Sequence, residues 1–135
     1  MTTRILLATM AALSLLATGV HAASNQRVFE LRTYHTYDGK LDDLLKRFRE
    51  HTTKLFEKHG MTNIAYWTPT DEPLKGKTLI YVISHESREA ATANWKAFRE
   101  DPEWQKVQAA SEANGKIVEK VDSTFLEPTD FSPMR

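Results

Sequence analysis

The distribution of apolar and polar residues along the chain predicts four strands and two helical regions. From Val28 to His35 the two kinds of residue alternate with the period of a strand whose faces differ. The segment from Leu79 to Ile83 is apolar at every position, which is typical of a strand buried on both faces. The segments Asn63 to Thr68 and Ile117 to Leu126 complete the predicted set of strands.

Helical spacing of apolar residues predicts one helix after the first strand and another after the third. Apolar residues recur at helical intervals from Leu41 to Phe56, and we expect Gly60 to cap the end of this helix. We expect Ser87 to cap the start of the second helix and Asp101-Pro102 to interrupt it. The inward side of this second region is predicted to carry Ala91, Trp95, Phe98, Trp104 and Val107.

The order strand, helix, strand, strand, helix, strand defines the ferredoxin-like βαββαβ arrangement, an α+β fold. Both helices are expected on one face of a four-stranded antiparallel sheet. We expect the opposite face to carry Glu30, Arg32 and Tyr34 beside apolar residues of the third strand, and a monomer should not expose such a patch. The pattern therefore predicts a homodimer whose two sheets stack face to face and close a dimeric α/β barrel.

The amino terminus has the three regions of a cleavable signal peptide. Arg4 supplies a positive charge, Ile5 to Ala17 is apolar, and Val20-His21-Ala22 is a small-residue cleavage pattern. The apolar run is shorter than the roughly 20 residues that span a membrane. We therefore predict a signal peptide at residues 1–22, a mature domain at residues 23–135 without a membrane anchor, and a periplasmic or secreted location.

The composition of the mature chain indicates which classes of partner it can bind. Its 113 residues suit a single domain, and with 17 basic and 18 acidic residues its net charge is −1. This balance does not favour nucleic acid as a partner. The chain contains no cysteine, so neither lipid attachment at a cysteine nor a disulfide is available. Stability must come from packing.

Several short strings in the chain resemble one known family. They are Phe29-Glu30-Leu31-Arg32-Thr33-Tyr34, Gly39-Lys40-Leu41, Glu57-Lys58-His59-Gly60, Tyr66-Trp67-Thr68, Asp101-Pro102-Glu103-Trp104 and Phe131-Ser132-Pro133. In this order they look like the NIPSNAP family, over about Val28 to Pro133. The resemblance implies a dimeric α/β barrel but carries over no reaction and no catalytic residues. The wider superfamily includes cofactor-free oxygenases, haem-degrading enzymes and isomerases, so the fold alone offers analogy.

Three polar residues of the first strand form the first candidate site. Glu30, Arg32 and Tyr34 alternate along one face, so their side chains point the same way. In a small-molecule pocket the Arg32 guanidinium could orient a carboxylate or enolate, with Glu30 as base and Tyr34 as hydrogen-bond donor. The alternative is a structural ion pair at the dimer interface, because buried charges need partners whether or not a ligand exists.

His35, His85 and Trp67 complete the candidate pocket. The two histidines stand at the carboxyl ends of predicted strands, where they could transfer protons, bind haem or be ordinary strand-end residues. Trp67 could form an aromatic wall. No histidine pair has the spacing of metal ligands, so we predict no metal site. We also predict no cofactor, with haem binding by His35 or His85 as the open alternative.

Two functional hypotheses follow from the sequence. The domain could bind or transform a small molecule in a pocket between the sheet and the helices, or it could be a non-catalytic periplasmic interaction module. Nothing in the sequence decides between an enzyme and a binding protein.

Overall fold

A computed structural model describes residues 27–135 of the chain. The predicted signal peptide, residues 1–22, lies outside the described residues. The elements in chain order are β1 (Val28–Thr36), α1 (Leu41–Arg47), a π-helical turn (Phe48–Thr52), α2 (Thr53–Lys58), β2 (Thr62–Trp67), β3 (Thr78–His85), α3 (Arg88–Glu100), α4 (Pro102–Ser111) and β4 (Val118–Leu126). The predicted elements are all present, with bounds shifted by one or two residues at several ends.

The four strands form an antiparallel sheet in the order β2-β3-β1-β4. With the helices on one face this is the ferredoxin-like arrangement, so the predicted fold class is confirmed. Strand β3, which contains the apolar segment Leu79 to Ile83, occupies a central position between β2 and β1, as predicted. Ile80 and Val82, on its open face, are only partly buried within residues 27–135.

The face of β1 that is turned towards the helices is the opposite of the one predicted. Glu30 is only 1% exposed, and its carboxylate accepts a hydrogen bond from the Trp95 indole of α3. Tyr34 packs edge to face on the Phe48 ring, so this row of polar residues faces the helices. The prediction that it faces away was wrong, because alternation shows that two faces differ but not which one is inward.

The first helical region contains an irregularity that the sequence pattern does not reveal. Between α1 and α2 the chain makes a π-helical turn at Phe48–Thr52. The hydroxyl groups of Thr52 and Thr53 donate to the carbonyl oxygens of Arg47 and Phe48, at 3.3 and 3.2 Å. These bonds satisfy carbonyl groups where the regular helical ladder is widened. The region ends at Gly60, whose φ of +79° is the left-handed conformation expected of a glycine cap.

The second helical region is divided as predicted. The Ser87 side chain accepts from the Ala90 amide at 3.0 Å at the start of α3. Asp101 ends α3 in an extended conformation and caps α4 by accepting from the Glu103 amide at 2.8 Å. The Asp101 carboxylate also pairs with His59 and Lys58, at 2.7 and 2.8 Å. It thereby ties the end of the first helical region to the junction between α3 and α4.

The core lies between the helices and one face of the sheet and is largely aromatic. It is built around Tyr81, Phe56, Leu44, Met61, Leu79, Ile83, Ile117, Trp95, Phe98 and Trp104. The opposite, open face of the sheet carries apolar residues too. By strand register these include Leu31, Ile80, Val82, Trp67 and Leu126. No helix within residues 27–135 is long and apolar enough to cross a membrane.

Candidate functional site

A buried carboxylate organises the interior next to the helices. The two oxygens of Glu30 accept four hydrogen bonds, and the donors come from three strands and one helix. The donors are Arg32 Nη1 at 2.7 Å, Ser123 Oγ at 2.7 Å, Trp95 Nε1 at 2.7 Å and His85 Nε2 at 3.0 Å. We call these five residues the Glu30 cluster.

The hydrogen bonds of the Glu30 cluster control its chemistry. Burial alone would raise the pKa of the Glu30 carboxyl, but the four donors outweigh burial and lower that pKa to about 2. A carboxylate with so low a pKa and with all its donors in place is a poor general base at neutral pH. The hydrogen bonds favour the alternative of a structural ion pair, and they place the Glu30–Arg32 pair under the helices.

His85 is held from both sides of its ring. Its Nε2 lies 3.0 Å from Glu30, and its Nδ1 lies 3.3 Å from the amide nitrogen of Asn94. That nitrogen also donates to the Gly60 carbonyl oxygen at 3.2 Å, which fixes the orientation of the amide. The arrangement fits an imidazole that donates from Nε2 and accepts at Nδ1.

Within the Glu30 cluster, Arg32 is the residue that contacts Tyr34. Its guanidinium lies 4.2 Å from the centre of the Trp95 ring, a cation–π contact, while Nη2 donates to the Tyr34 hydroxyl at 3.4 Å. Burial lowers the pKa of Arg32, but the neighbouring tyrosines and Glu30 raise it by more. The guanidinium therefore stays charged, and both of its Nη atoms are paired, although its Nε is buried without a hydrogen-bond partner within residues 27–135.

A cavity of about 300 Å3 lies between the helices and the β4 side of the sheet. Its walls are mainly aromatic and aliphatic, and they include the π-helical turn. The lining residues are Tyr34, Arg47, Phe48, Thr52, Phe56, Phe98, Trp104, Gln108, Glu112, Lys116, Val118 and Val121. We call it the aromatic cavity. Its volume is at the lower end of the range of small-molecule sites, and its lining has their usual chemistry.

Another depression, of about 720 Å3, lies near the start of β1 and the end of β3. It is lined mainly by polar and charged residues, namely Arg27, Glu57, Gly60, Met61, Thr62, Ser84, His85 and Glu86. It lacks the aromatic walls that give a small ligand apolar contact. We therefore take the aromatic cavity as the candidate binding site.

The structure brings together four of the six residues predicted for the pocket. Glu30, Arg32, Tyr34 and His85 are connected through hydrogen bonds, but of these only Tyr34 lines the aromatic cavity. The prediction of a small-molecule pocket at these residues stays a prediction.

The remaining two predicted residues lie elsewhere. His35 is on the open face of the sheet, where its Nε2 lies 3.0 Å from the Asp122 carboxylate. Trp67, on the edge strand β2, is 53% exposed, and its side chain lies on the same open face of the sheet. Neither residue reaches the Glu30 cluster or the aromatic cavity, because the sheet lies between them and the helices.

The sequence analysis did not identify several polar residues of the Glu30 cluster and of the aromatic cavity. Trp95 was assigned to core packing, which is confirmed, yet its indole nitrogen also binds Glu30. Ser123 and Asn94 carry no pattern that would single them out. Arg47 is 5% exposed and lines the aromatic cavity, although a charged residue in a helix is usually solvated. Within residues 27–135 no cluster of three or more acidic or histidine side chains could hold a metal ion.

The sheet, the helices on one of its faces and the half-open cavity between them define a ferredoxin-like α+β domain with an aromatic-walled cleft. The model of the NIPSNAP family matches residues 29–133. The chain belongs to the NIPSNAP family, which confirms the resemblance drawn from its short motifs. No curated protein matches the sequence.

Solved structures share this fold. A NIPSNAP family protein from Agrobacterium tumefaciens is 25% identical, with 82% of this chain and 100% of that chain covered and a TM-score of 0.70. An uncharacterised NIPSNAP-like domain protein from Burkholderia xenovorans is 17% identical, with 81% and 90% covered and a TM-score of 0.69. A monooxygenase from Streptomyces coelicolor in complex with Nanaomycin D is 18% identical, with 78% and 89% covered and a TM-score of 0.54. The last two likenesses show the fold alone.

The Glu30 cluster predicts a specific loss of stability in acid. Because the folded pKa of Glu30 is about 2 and its ordinary value is 4.5, its contribution is complete above pH 4.5 and is lost as the pH falls towards 2. The shift corresponds to about 3 kcal/mol. The Glu30→Gln variant should be less stable at pH 7 by about 3 to 5 kcal/mol and should lose less stability between pH 5 and 2. Urea unfolding measures both quantities.

Exposed Glu119 supplies the matched control. The Glu119→Gln variant should keep the stability and acid profile of the unchanged protein. If Glu30→Gln does not fold, carbon NMR of the unchanged protein gives the titration of Glu30 directly. A Glu30 carboxyl that titrates near pH 4.5 would contradict the structural role assigned to the cluster.

Proposed function

We propose that this NIPSNAP protein is exported, forms a homodimer, and binds or transforms a small molecule in the aromatic cavity. The cavity is the observation that supports the proposal, because its volume and its aromatic walls with polar groups among them are those of small-molecule sites. The site is bounded by the sheet, both helical regions and the π-helical turn, and such turns occur frequently at functional sites.

The lining of the cavity favours a largely apolar ligand. Phe98 and Trp104 lie with ring centres 4.6 Å apart, and Phe48 and Phe56 are 5.9 Å apart in an edge-to-face arrangement. Rings held in this way offer flat apolar contact at low entropic cost. The Streptomyces coelicolor monooxygenase is a protein of this fold that binds a small molecule, which supports the proposal by analogy of fold.

The homodimer is supported by the open face of the sheet. Leu31, Ile80 and Val82 are only partly buried there, and Trp67 is more than half exposed. A second copy presents the same apolar surface, so stacking the two sheets would remove both patches from water at once.

Closing the aromatic cavity tests ligand binding. Val121 lines the cavity and is 40% exposed, so a Val121→Trp variant should fill the space at little cost in stability. We expect ligand-observed NMR with a library of small aromatic compounds to find binders that Val121→Trp loses. The Ala93→Trp variant, on the exposed side of α3, should retain them. If no compound shows this difference, the proposal fails and an interaction module becomes the better explanation.

Charging the open face tests the homodimer. A glutamate at position 80 would have to be buried without a partner between two stacked sheets. We therefore expect the mature chain to sediment as a dimer at micromolar concentration and the Ile80→Glu variant to sediment as a monomer. The Ala93→Glu variant should remain dimeric. A monomeric unchanged protein would refute the assembly.

Export can be tested through the amino terminus of the recovered protein. When the full chain is produced in a Gram-negative bacterium, we expect it in the periplasm with Ala23 as its first residue. An Ala22→Arg variant should remain uncleaved, because the cleavage site requires a small residue there. Recovery of the full-length chain from the cytoplasm would contradict export.

A further inference from the structure

One charged side chain in the wall of the aromatic cavity is incompletely paired. Arg47 is on the inward side of α1, next to Phe48 at the start of the π-helical turn, and is almost completely buried. Its Nη1 donates to Ser111 Oγ at 3.2 Å. Its Nε is buried and has no hydrogen-bond partner within residues 27–135. A buried donor without a partner is costly, so the Arg47 guanidinium, which lines the cavity, is incompletely compensated for its burial.

The nearest carboxylate neutralises Arg47 only weakly. Glu112 Oε1 is 3.6 Å from Arg47 Nη1, beyond the range of about 2.7 to 2.9 Å for charge-assisted hydrogen bonds. Glu112 is also partly solvent-exposed, whereas Arg47 is not. Burial lowers the pKa of Arg47, and the attraction of Glu112 offsets only part of this effect. The guanidinium therefore carries a desolvation cost that its neighbours do not repay.

The charges that line the aromatic cavity sum to a positive value. Arg47 and Lys116 are the basic residues of the lining, and Glu112 is the acidic one. The guanidinium also lies 5.2 Å from the centre of the Trp104 ring, so its position is restricted by packing as well as by Ser111. A planar, pre-oriented guanidinium beside aromatic walls suits a flat ligand that ends in a carboxylate or another planar anion.

We infer that the natural ligand of the aromatic cavity is a small aromatic anion whose negative group is held by Arg47. The inference rests on the proposed function and specifies its ligand class. The aromatic body contacts the Phe48, Phe98 and Trp104 side of the cavity, and the anion accepts from the guanidinium. Glu112 competes with the ligand for the same guanidinium, so it weakens binding of the anion.

Two isosteric probes separate the contribution of charge from that of shape. We use 1-naphthoate and 1-naphthamide, which share the two-ring body but differ in the charge of the substituent. At pH 7, isothermal titration calorimetry should show about 10-fold or greater preference for 1-naphthoate, the order expected of a hydrogen bond to a charged group. The Arg47→Gln variant should lose this preference mainly through weaker binding of 1-naphthoate. The Arg49→Gln variant, at an exposed position two residues away, should keep it.

A second variant keeps the test decisive if Arg47→Gln does not fold. Replacing the partly exposed Glu112 by Gln removes the competing carboxylate and leaves Arg47 in place. The Glu112→Gln variant should bind 1-naphthoate several-fold more tightly and bind 1-naphthamide with unchanged affinity. Removing the Glu112 charge alone favours any anion in the cavity, so the paired variant Arg47→Met/Glu112→Gln, which leaves no unpaired charge of this pair, isolates Arg47. This variant should lose the preference for 1-naphthoate, and a preference that it keeps would overturn the assignment to Arg47.

The outcomes distinguish the ligand class from the proposed function. Equal affinities for the two probes in the unchanged protein would overturn the inference while leaving the cavity a binding site for small molecules. Absence of 1-naphthoate binding at millimolar concentration would also overturn it, and the compound screen with Val121→Trp would then decide the proposed function separately.

Discussion

The need to satisfy one buried negative charge, that of Glu30, determines much of this structure. A carboxylate removed from water is stable only if hydrogen bonds and a counter-charge replace its hydration. Here the replacements come from β1, β3, β4 and α3, elements far apart along the chain. The site is therefore complete only when the helix has docked on the assembled sheet. The cluster in turn fixes Arg32, and through it Tyr34, at the wall of the aromatic cavity.

Local sequence signals were sufficient for the fold because they refer to properties of single elements. The alternation in β1, the continuous apolar run in β3, the cap at Ser87 and the break at Asp101-Pro102 each act within a few residues. Which face of β1 is turned towards the helices, in contrast, depends on residues of other elements. Polar residues are usually exposed, but Glu30 and Arg32 face the helices because they satisfy one another and find donors on other strands. No pattern within one strand contains that information.

The candidate site could be predicted only in part for the same reason. The row Glu30, Arg32 and Tyr34 was recognised as a unit because its members share a strand, and His85 was found because it ends a buried one. His35 and Trp67 have similar sequence contexts but lie on the other face of the sheet. Arg47 was not recognised because its burial depends on α4, which supplies Ser111 and Trp104 from more than fifty residues away.

The π-helical turn at Phe48–Thr52 makes the length of this helical region as constrained as its composition. Each residue of a regular helix advances the chain by about 100° around the axis, so the widened turn sets the rotation of everything that follows it. Because a π turn holds one residue more than an α turn, loss of one residue within it would leave a regular helix with Leu55 and Phe56 still facing the core. Loss of one residue from α1 would instead rotate the chain by about 100° relative to the core. Insertions and deletions should consequently be tolerated in the loop between β2 and β3 far better than within this helix.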